Sequence, residues 1–319
     1  MEFSPLFWPV TLRGKSIAVL DETALPRKLS YIKVSTPQEA CRVIRQMKTR
    51  AVGQVLLVMY TFLMVVRRHR GTQLLGRIQK TARLLNATRP TLPFKMLTGM
   101  VSEWAAAEVG LEEAIGGFLE GLKKARIEQA KQAAFTLRDK DVILTHCNVS
   151  GLMPLIAAFC READKKISFF VTQTPPYLQG MRLSAWELQR AGCDVTVIAD
   201  NMVAQVMAEG KINKVLVGAD NLARNGDVAN KVGTYQIAVL ARYFKIPFYV
   251  LCPPPSGVES GRQIPIEVRP DKELLGFAGA SAVPRGVRGY YPAFDVTPRQ
   301  LITKHIYLEL PGEAGKRHG

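Results

Sequence analysis

The 319-residue sequence has no G-x-G-x-x-G run, no G-x-x-x-x-G-K-[ST] loop and no H-E-x-x-H. Dinucleotide, nucleoside-triphosphate and zincin chemistry therefore lose their usual supports. Five cysteines (41, 147, 160, 193 and 252) form no C-x-x-C pair, and with only four histidines no zinc-type spacing arises. No metal and no cofactor are implied. An odd, scattered set of thiols fits free cysteines in a reducing cytoplasm. The opening MEFSPLFWPVTLRGK lacks a basic stretch followed by an apolar one, so no secretory signal is expected. No repeat, low-complexity segment or apolar run of about twenty residues occurs. The longest apolar stretch, 51–66, is shorter and is interrupted by Gln54 and Thr61, which predicts a buried core helix and no membrane span. No RNP-type aromatic-basic signature accompanies the excess charge, which is 43 Lys+Arg against 27 Asp+Glu, a net +16. The basic residues are scattered, with short clusters at 67–70 and 123–126. The excess permits three readings, nucleic acid, an anionic membrane or a small anionic substrate, of which nucleic acid is disfavoured as the main ligand.

Two textures divide what is present. Residues 16–34 alternate and read as short strands around a turn at Pro26. Thr36-Pro37-Gln38-Glu39 then opens a helix, with Pro at the first helical position and Glu three residues after the cap. Helical patterns continue over 52–68, 72–85, 91–108 and 111–137. From Lys140 the pattern changes to short β-rich runs: DVILTH, KISFFVT, CDVTVIAD, NKVLVGAD and IPFYVLC. Helical segments at 152–163, 181–191, 202–209 and 231–244 separate them, and one further strand is expected at 263–268. Alternation of this kind gives βαβ units and a parallel sheet covered on both faces. The predicted fold is α/β. A Rossmann-like, mainly parallel C-terminal domain (139–319) follows a smaller, mainly helical N-terminal domain (1–138) that begins with short strands.

Ligands of open parallel sheets bind beyond the carboxyl ends of the strands, which selects a few segments. In ILTHCNVSG the strand ends near His146 and a helix begins near Leu152, so Cys147 lies in the turn between them. A helix's positive end lowers a thiol's pKa and favours an anion; a buried inert cysteine is the alternative. The other four cysteines have no such setting. In KVLVGADNLARNGD, Gly218 and Ala219 permit a close turn and Asp220 projects at the same sheet edge, as a functional carboxylate, a helix cap or a loop acceptor. Asn225-Gly226 is a turn. Asn230-Lys231 is expected to open a helix, where a lysine opposes the dipole unless a phosphate is bound nearby. His146 points away from Cys147, because neighbours at a strand end face opposite sides.

Several segments, in this order, carry a family likeness: ILTHCN, PYLQGMRLSAWEL, ADNM, VGADNLARNGDVANKVGTYQIAVLA, IPFYV, IPIE and PAFDVTP. Through them the chain resembles the methylthioribose-1-phosphate isomerase family, from about Leu20 to Ile302. That family is related to ribose-1,5-bisphosphate isomerases and to regulatory subunits of the initiation-factor nucleotide-exchange complex. The resemblance implies conversion of a cyclic aldose 1-phosphate into an open 1-phosphoketose, without cofactor or metal, by a cytoplasmic homodimer. It places Cys147 and Asp220 in the catalytic positions, and Arg50, Arg89, Gln179, Asn230 and Lys231 on phosphate and sugar hydroxyls. Two arginines and a lysine suit a phosphate dianion. The surrounding shell departs from the family pattern. Ala51 stands where the family shows Gly, followed by Val52. Thr172-Gln173-Thr174-Pro175-Pro176 replaces a run with two carboxylates and an arginine, Asn221 follows the GAD motif, and 88–94 is altered. The alternative implied is a non-catalytic sugar-phosphate or nucleotide sensor like the regulatory relatives.

Overall fold

The computed structural model of the chain describes residues 3–69, 71, 73–88, 94–277 and 280–310. The chain divides into two compact units, one of residues 1–128, 150–155 and 309–319, the other of residues 129–149 and 156–308.

The first unit opens with an antiparallel meander of β1 (Val10–Arg13), β2 (Ser16–Leu20) and β3 (Tyr31–Val34). Alternation in the sequence announces the second and third strands but not the first. Helices α1 (Pro37–Arg45), α2 (Val52–Arg68), α3 (Leu74–Asn86), α4 (Phe94–Ala106) and α5 (Leu111–Thr136, in this unit as far as Glu128) follow. The start of α1 matches its sequence signal. Thr36 Oγ1 accepts the Glu39 N–H at 3.2 Å, while the Glu39 carboxylate reaches back to the Ser35 N–H at 2.6 Å. The apolar stretch expected to be a core helix is α2, which packs on β1, β2, α3 and α4. Leu56, Leu57, Val58, Met59 and Phe62 are wholly buried along it, each contributing roughly 1.5–3 kcal/mol of apolar burial. Among the described residues no helix is long and apolar enough to cross a membrane.

The second unit is built on six parallel strands. β4 (Val142–Thr145), α6 (Leu152–Glu162, in this unit from Ile156), β5 (Ser168–Thr172), α7 (Ala185–Arg190), β6 (Asp194–Ile198), α8 (Val203–Ala208) and β7 (Lys214–Gly218) come first. Then follow β8 (Asn221–Leu222), β9 (Val228–Lys231), α9 (Thr234–Tyr243), β10 (Phe248–Cys252) and the two-residue strands β11 (Val268–Arg269), β12 (Gly276–Phe277), β13 (Ala280–Ser281) and β14 (Tyr291–Pro292). β15 (Phe294–Thr297) and β16 (Lys304–Tyr307) complete the unit. The large sheet runs β16-β10-β7-β4-β5-β6, all parallel. Its interior strands are buried on both faces. Val215, Val217, Phe248, Val250 and Cys252 pack with α8 and α9, and Leu216 and Leu251 are equally buried on the other side. That is why these strands read as continuous apolar runs in place of alternation.

Two expectations are corrected. Asn230 and Lys231 do not open a helix; they end β9, which pairs with β15 and β8. Helix α9 begins only after Gly233, whose φ of 105° breaks the strand. The strand expected at 263–268 is displaced to Val268–Arg269, because Gly261–Gln263 form a 3-10 turn capped by Ser260.

Ala51, which departs from the glycine expected there, takes φ 43° and ψ −121° just before α2, in a turn closed by the Gly53 N–H on the Arg50 carbonyl at 2.8 Å. A Cβ in this region is strained by about 1–3 kcal/mol, while glycine raises unfolded-state entropy by about 0.5–1 kcal/mol. Ala51→Gly should therefore stabilise the protein by about 1 kcal/mol, read as a higher urea midpoint at unchanged slope. A lower midpoint would show that the turn carries no strain.

Candidate active site

The order of the large sheet reverses between β4 and β7, the position at which parallel α/β sheets place their ligands. Cys147 follows β4 and Asp220 follows β7, so the chain brings the predicted thiol and carboxylate to neighbouring strand ends. The two loops approach closely: a Cβ on Gly218 would lie 3.1 Å from the Val149 Cγ1. Cys147 is 8% exposed, whereas Asp220 is exposed, with its N–H on the Ala229 carbonyl at 2.9 Å.

Cys147 adopts φ 65°, a conformation that costs a non-glycine residue energy unless its surroundings hold it. Both of its peptide groups are held. Its N–H donates to Thr174 Oγ1 at 3.0 Å. Its carbonyl accepts from Ser184 Oγ at 2.7 Å, and Ser184 in turn accepts from Asn148 Nδ2 at 3.0 Å. Asn148 Nδ2 also donates to Glu187 Oε1 at 2.7 Å.

On the N–H side the direction of the hydrogen bonds can be traced to its source. His146 Nε2 lies 2.9 Å from the Val232 carbonyl, which can only accept, so the proton sits on Nε2. Burial holds the ring's pKa below its ordinary value, although Asp200 opposes the shift. The neutral ring leaves Nδ1 to accept from Thr172 Oγ1 at 2.7 Å. Thr172 then accepts from Thr174 Oγ1 at 3.1 Å, and Thr174 accepts from the Cys147 N–H. Thr174 is itself left-handed at φ 62°, with its N–H on Asp200 Oδ1 at 2.8 Å. His146 is thus tied to the Cys147 turn through Thr172 and Thr174. In the sequence the Thr172–Pro176 segment stands out only for the charges it lacks, and nothing there marks its two hydroxyls as functional.

Gln179 is 3% exposed, and its Oε1 makes no hydrogen bond among the described residues. It precedes a single π-helical turn, Gly180–Ser184, a form that is rare and frequent at functional sites. A Cβ on Gly180 would come within 1.8 Å of the Thr172 carbonyl oxygen, so glycine is required there. Lys231 is 7% exposed, with Nζ 4.9 Å from the Phe294 ring centre and 5.8 Å from that of Tyr291. The β9–β15 register, which pairs Lys231 with Phe294, fixes the first contact. Asn230 is equally buried and donates to Thr234 Oγ1 at 2.9 Å. Asp295 accepts the Gly233 and Tyr235 N–H groups at 2.6 and 3.1 Å, yet burial pushes its carboxyl up to about 6.

Of the remaining predicted residues, Arg89 lies outside the described residues. Arg50 belongs to the other unit, where Nε and Nη2 each lie 3.0 Å from Glu22 Oε2. Glu22 Oε1 also receives the Arg50 N–H at 3.0 Å and the Thr49 hydroxyl at 2.7 Å. Nothing in the sequence singles out Glu22. Burial raises the thiols of Cys41, Cys160, Cys193 and Cys252, as suits inert cysteines. Among the described residues no three or more His, Cys, Asp or Glu side chains converge to hold a metal ion.

A six-stranded parallel sheet with a thiol and a carboxylate where its order reverses defines an α/β protein with a strand-end site. The Initiation factor 2 subunit family matches residues 48–307. The methylthioribose-1-phosphate isomerase of Fervidobacterium nodosum is 35% identical over 324 residues, covering 92% of this chain and 91% of that protein. The 5-methylthioribose 1-phosphate isomerase of Pyrococcus horikoshii OT3 superposes with a TM-score of 0.79 at 28% identity, over 98% of this chain and 96% of that one. The translation initiation factor eIF-2B subunit delta of A. fulgidus gives a TM-score of 0.80 at 29% identity, with 97% of both chains covered. The chain belongs to the Initiation factor 2 subunit family and, within it, to the methylthioribose-1-phosphate isomerases.

Asp295 supplies a pH test. Its folded pKa, about 6, lies above the unfolded value of 3.8, so its contribution to stability is complete below 3.8 and is lost as pH rises through about 6. Tm measured against pH should show wild type losing ground to Asp295→Asn across that interval. A difference that stays flat, or that grows in favour of wild type, would contradict the assignment.

Proposed function

We propose that the chain is an aldose–ketose isomerase that converts a 5-substituted ribose 1-phosphate into the corresponding ribulose 1-phosphate. The default substrate is S-methyl-5-thioribose 1-phosphate, as in methionine salvage. The observation that carries this reading is the likeness, over nearly the whole length of both chains, to proteins named methylthioribose-1-phosphate isomerase. The thiol and carboxylate at neighbouring strand ends support it. The Rossmann-like catalytic domain, expected over 139–319, corresponds to the second unit, and the smaller helical one, expected over 1–138, to the first. The protein acts in the cytoplasm as a homodimer.

The reaction is an internal redox exchange. The bond from C1 to the ring oxygen breaks, the ring oxygen leaves as a hydroxyl, C2 is oxidised to the ketone and C1 is reduced. Every atom of the substrate is retained, so no external oxidant or reductant enters. Asp220 handles the proton on the ring oxygen or the sugar hydroxyl, a task suited to an exposed carboxylate that a substrate can reach. Cys147 assists at the C1–C2 centre, and its clamped backbone fixes the direction in which its side chain leaves the main chain. Lys231 takes the phosphate, while Gln179 and Asn230 take hydroxyls. The unpaired, buried Oε1 of Gln179 favours that role, because such an acceptor costs about 1–3 kcal/mol until something donates to it.

A second reading, a non-catalytic regulatory protein, is favoured by the equally good superposition on eIF-2B subunit delta. Turnover of methylthioribose 1-phosphate by purified protein separates the two. Cys147→Ser and Asp220→Asn should each lower kcat by roughly 100- to 10,000-fold with Tm little changed. Absence of turnover in folded wild-type protein would leave the regulatory reading. Full activity in Cys147→Ser would remove the thiol from the mechanism.

A further inference from the structure

The register of β11 and β14 sets Arg269 opposite Tyr291, which turns both side chains to one face of the ladder. Arg269 is fully engaged there. It meets Glu267 Oε1 at 2.9 Å, Glu273 Oε2 and Oε1 at 3.0 and 2.5 Å, and the Tyr177 hydroxyl at 2.9 Å. Tyr177 in turn donates to Glu273 Oε2 at 2.7 Å. Tyr291, with its ring 6.4 Å from that of Tyr177, differs from its neighbours. It is 3% exposed, and its hydroxyl makes no hydrogen bond among the described residues. A buried tyrosine oxygen ordinarily finds a partner, and packing alone would be served as well by phenylalanine. The Lys231 ammonium lies 5.8 Å from the ring centre, so the Tyr291 ring neighbours a residue assigned to the phosphate. Burial, together with the negative charge available to Tyr177, Glu273 and Cys147, keeps the phenol protonated, which leaves it an O–H donor.

We propose that Tyr291 is a specificity-determining residue of this site, donating a hydrogen bond through its hydroxyl to an oxygen of the sugar phosphate bound beside Lys231. The proposal rests on the isomerase reading for the identity of the ligand. The orphaned donor supplies its own argument: a site built to hydrogen-bond a substrate oxygen penalises an analogue that lacks it, since the protein group is then left unpaired.

Tyr291→Phe removes only the oxygen. The unliganded Tm should stay level or rise, since no hydrogen bond to another described residue is lost. The kcat/KM for methylthioribose 1-phosphate should fall about tenfold or more, and the Tm increase given by that sugar phosphate should shrink. Unaltered kinetics with an undiminished ligand-induced shift overturn the proposal. A fall in unliganded Tm that accounts for the lost activity also overturns it, because the hydroxyl would then serve the fold. If wild-type protein binds the sugar phosphate without turning it over, the isomerase reading fails while the thermal shift still decides on Tyr291. If it does neither, both fall.

Discussion

The left-handed turn at Cys147 depends on two hydrogen bonds, one to each of its peptide groups, and much of the second unit is arranged to supply them. The donor side runs through Thr174 and Thr172 to a histidine ring, and the acceptor side runs through Ser184 to Asn148 and Glu187. These partners come from β5, the loop after it, the π-helical turn and α7, so the position of one thiol is tied to several elements at once. The first chain has a single polarity because His146 is neutral. A protonated ring would donate from Nδ1, Thr172 would have to turn its hydroxyl elsewhere, and the order that ends at the Cys147 N–H would be lost. Burial of the ring therefore does more than fill the core, because a neutral His146 sets the direction of the His146–Thr172 and Thr172–Thr174 bonds, which lie between a carbonyl that only accepts and an N–H that only donates.

That dependence explains which parts of the molecule could be read from the sequence. Strand ends, the Thr36 cap and the buried α2 announce themselves through local patterns: apolar runs, cap chemistry and spacing. Cys147 and Asp220 could be placed at one sheet edge for the same reason, since each follows a strand that ends in small or polar residues. The supports of the Cys147 turn left no such mark. Thr172 and Thr174 look like ordinary strand and loop residues, and what makes them partners is the pairing of β4 with β5. Glu22 is equally silent, although it holds both the backbone and the side chain of Arg50.

Asn230 and Lys231 failed as a helix start for a related reason. Their four-residue strand is specified by pairing with β15, far along the chain, and a short polar segment beside a helix-forming run carries no local sign of a distant partner. At the π-helical turn Gly180 likewise approaches the Thr172 carbonyl so closely that no Cβ fits. No periodicity in the sequence encodes that contact.

The correction to Lys231 also changes its electrostatics. In a helix's first turn the ammonium would oppose the dipole and would need an anion to be tolerated. At the end of β9 it lies over two aromatic faces, which attract a cation. Asp295 accepts the N–H groups of Gly233 and Tyr235 at the start of α9, and its ionised form is weakened by burial and favoured by those N–H groups and by Lys231. A phosphate taken up by Lys231 would offset the charge that favours ionised Asp295, so its carboxyl would rise further and bind a proton more readily. Phosphate binding and protonation of Asp295 are then linked, and by reciprocity the affinity for the dianion strengthens as pH falls toward the carboxyl's pKa, until the phosphate itself begins to protonate.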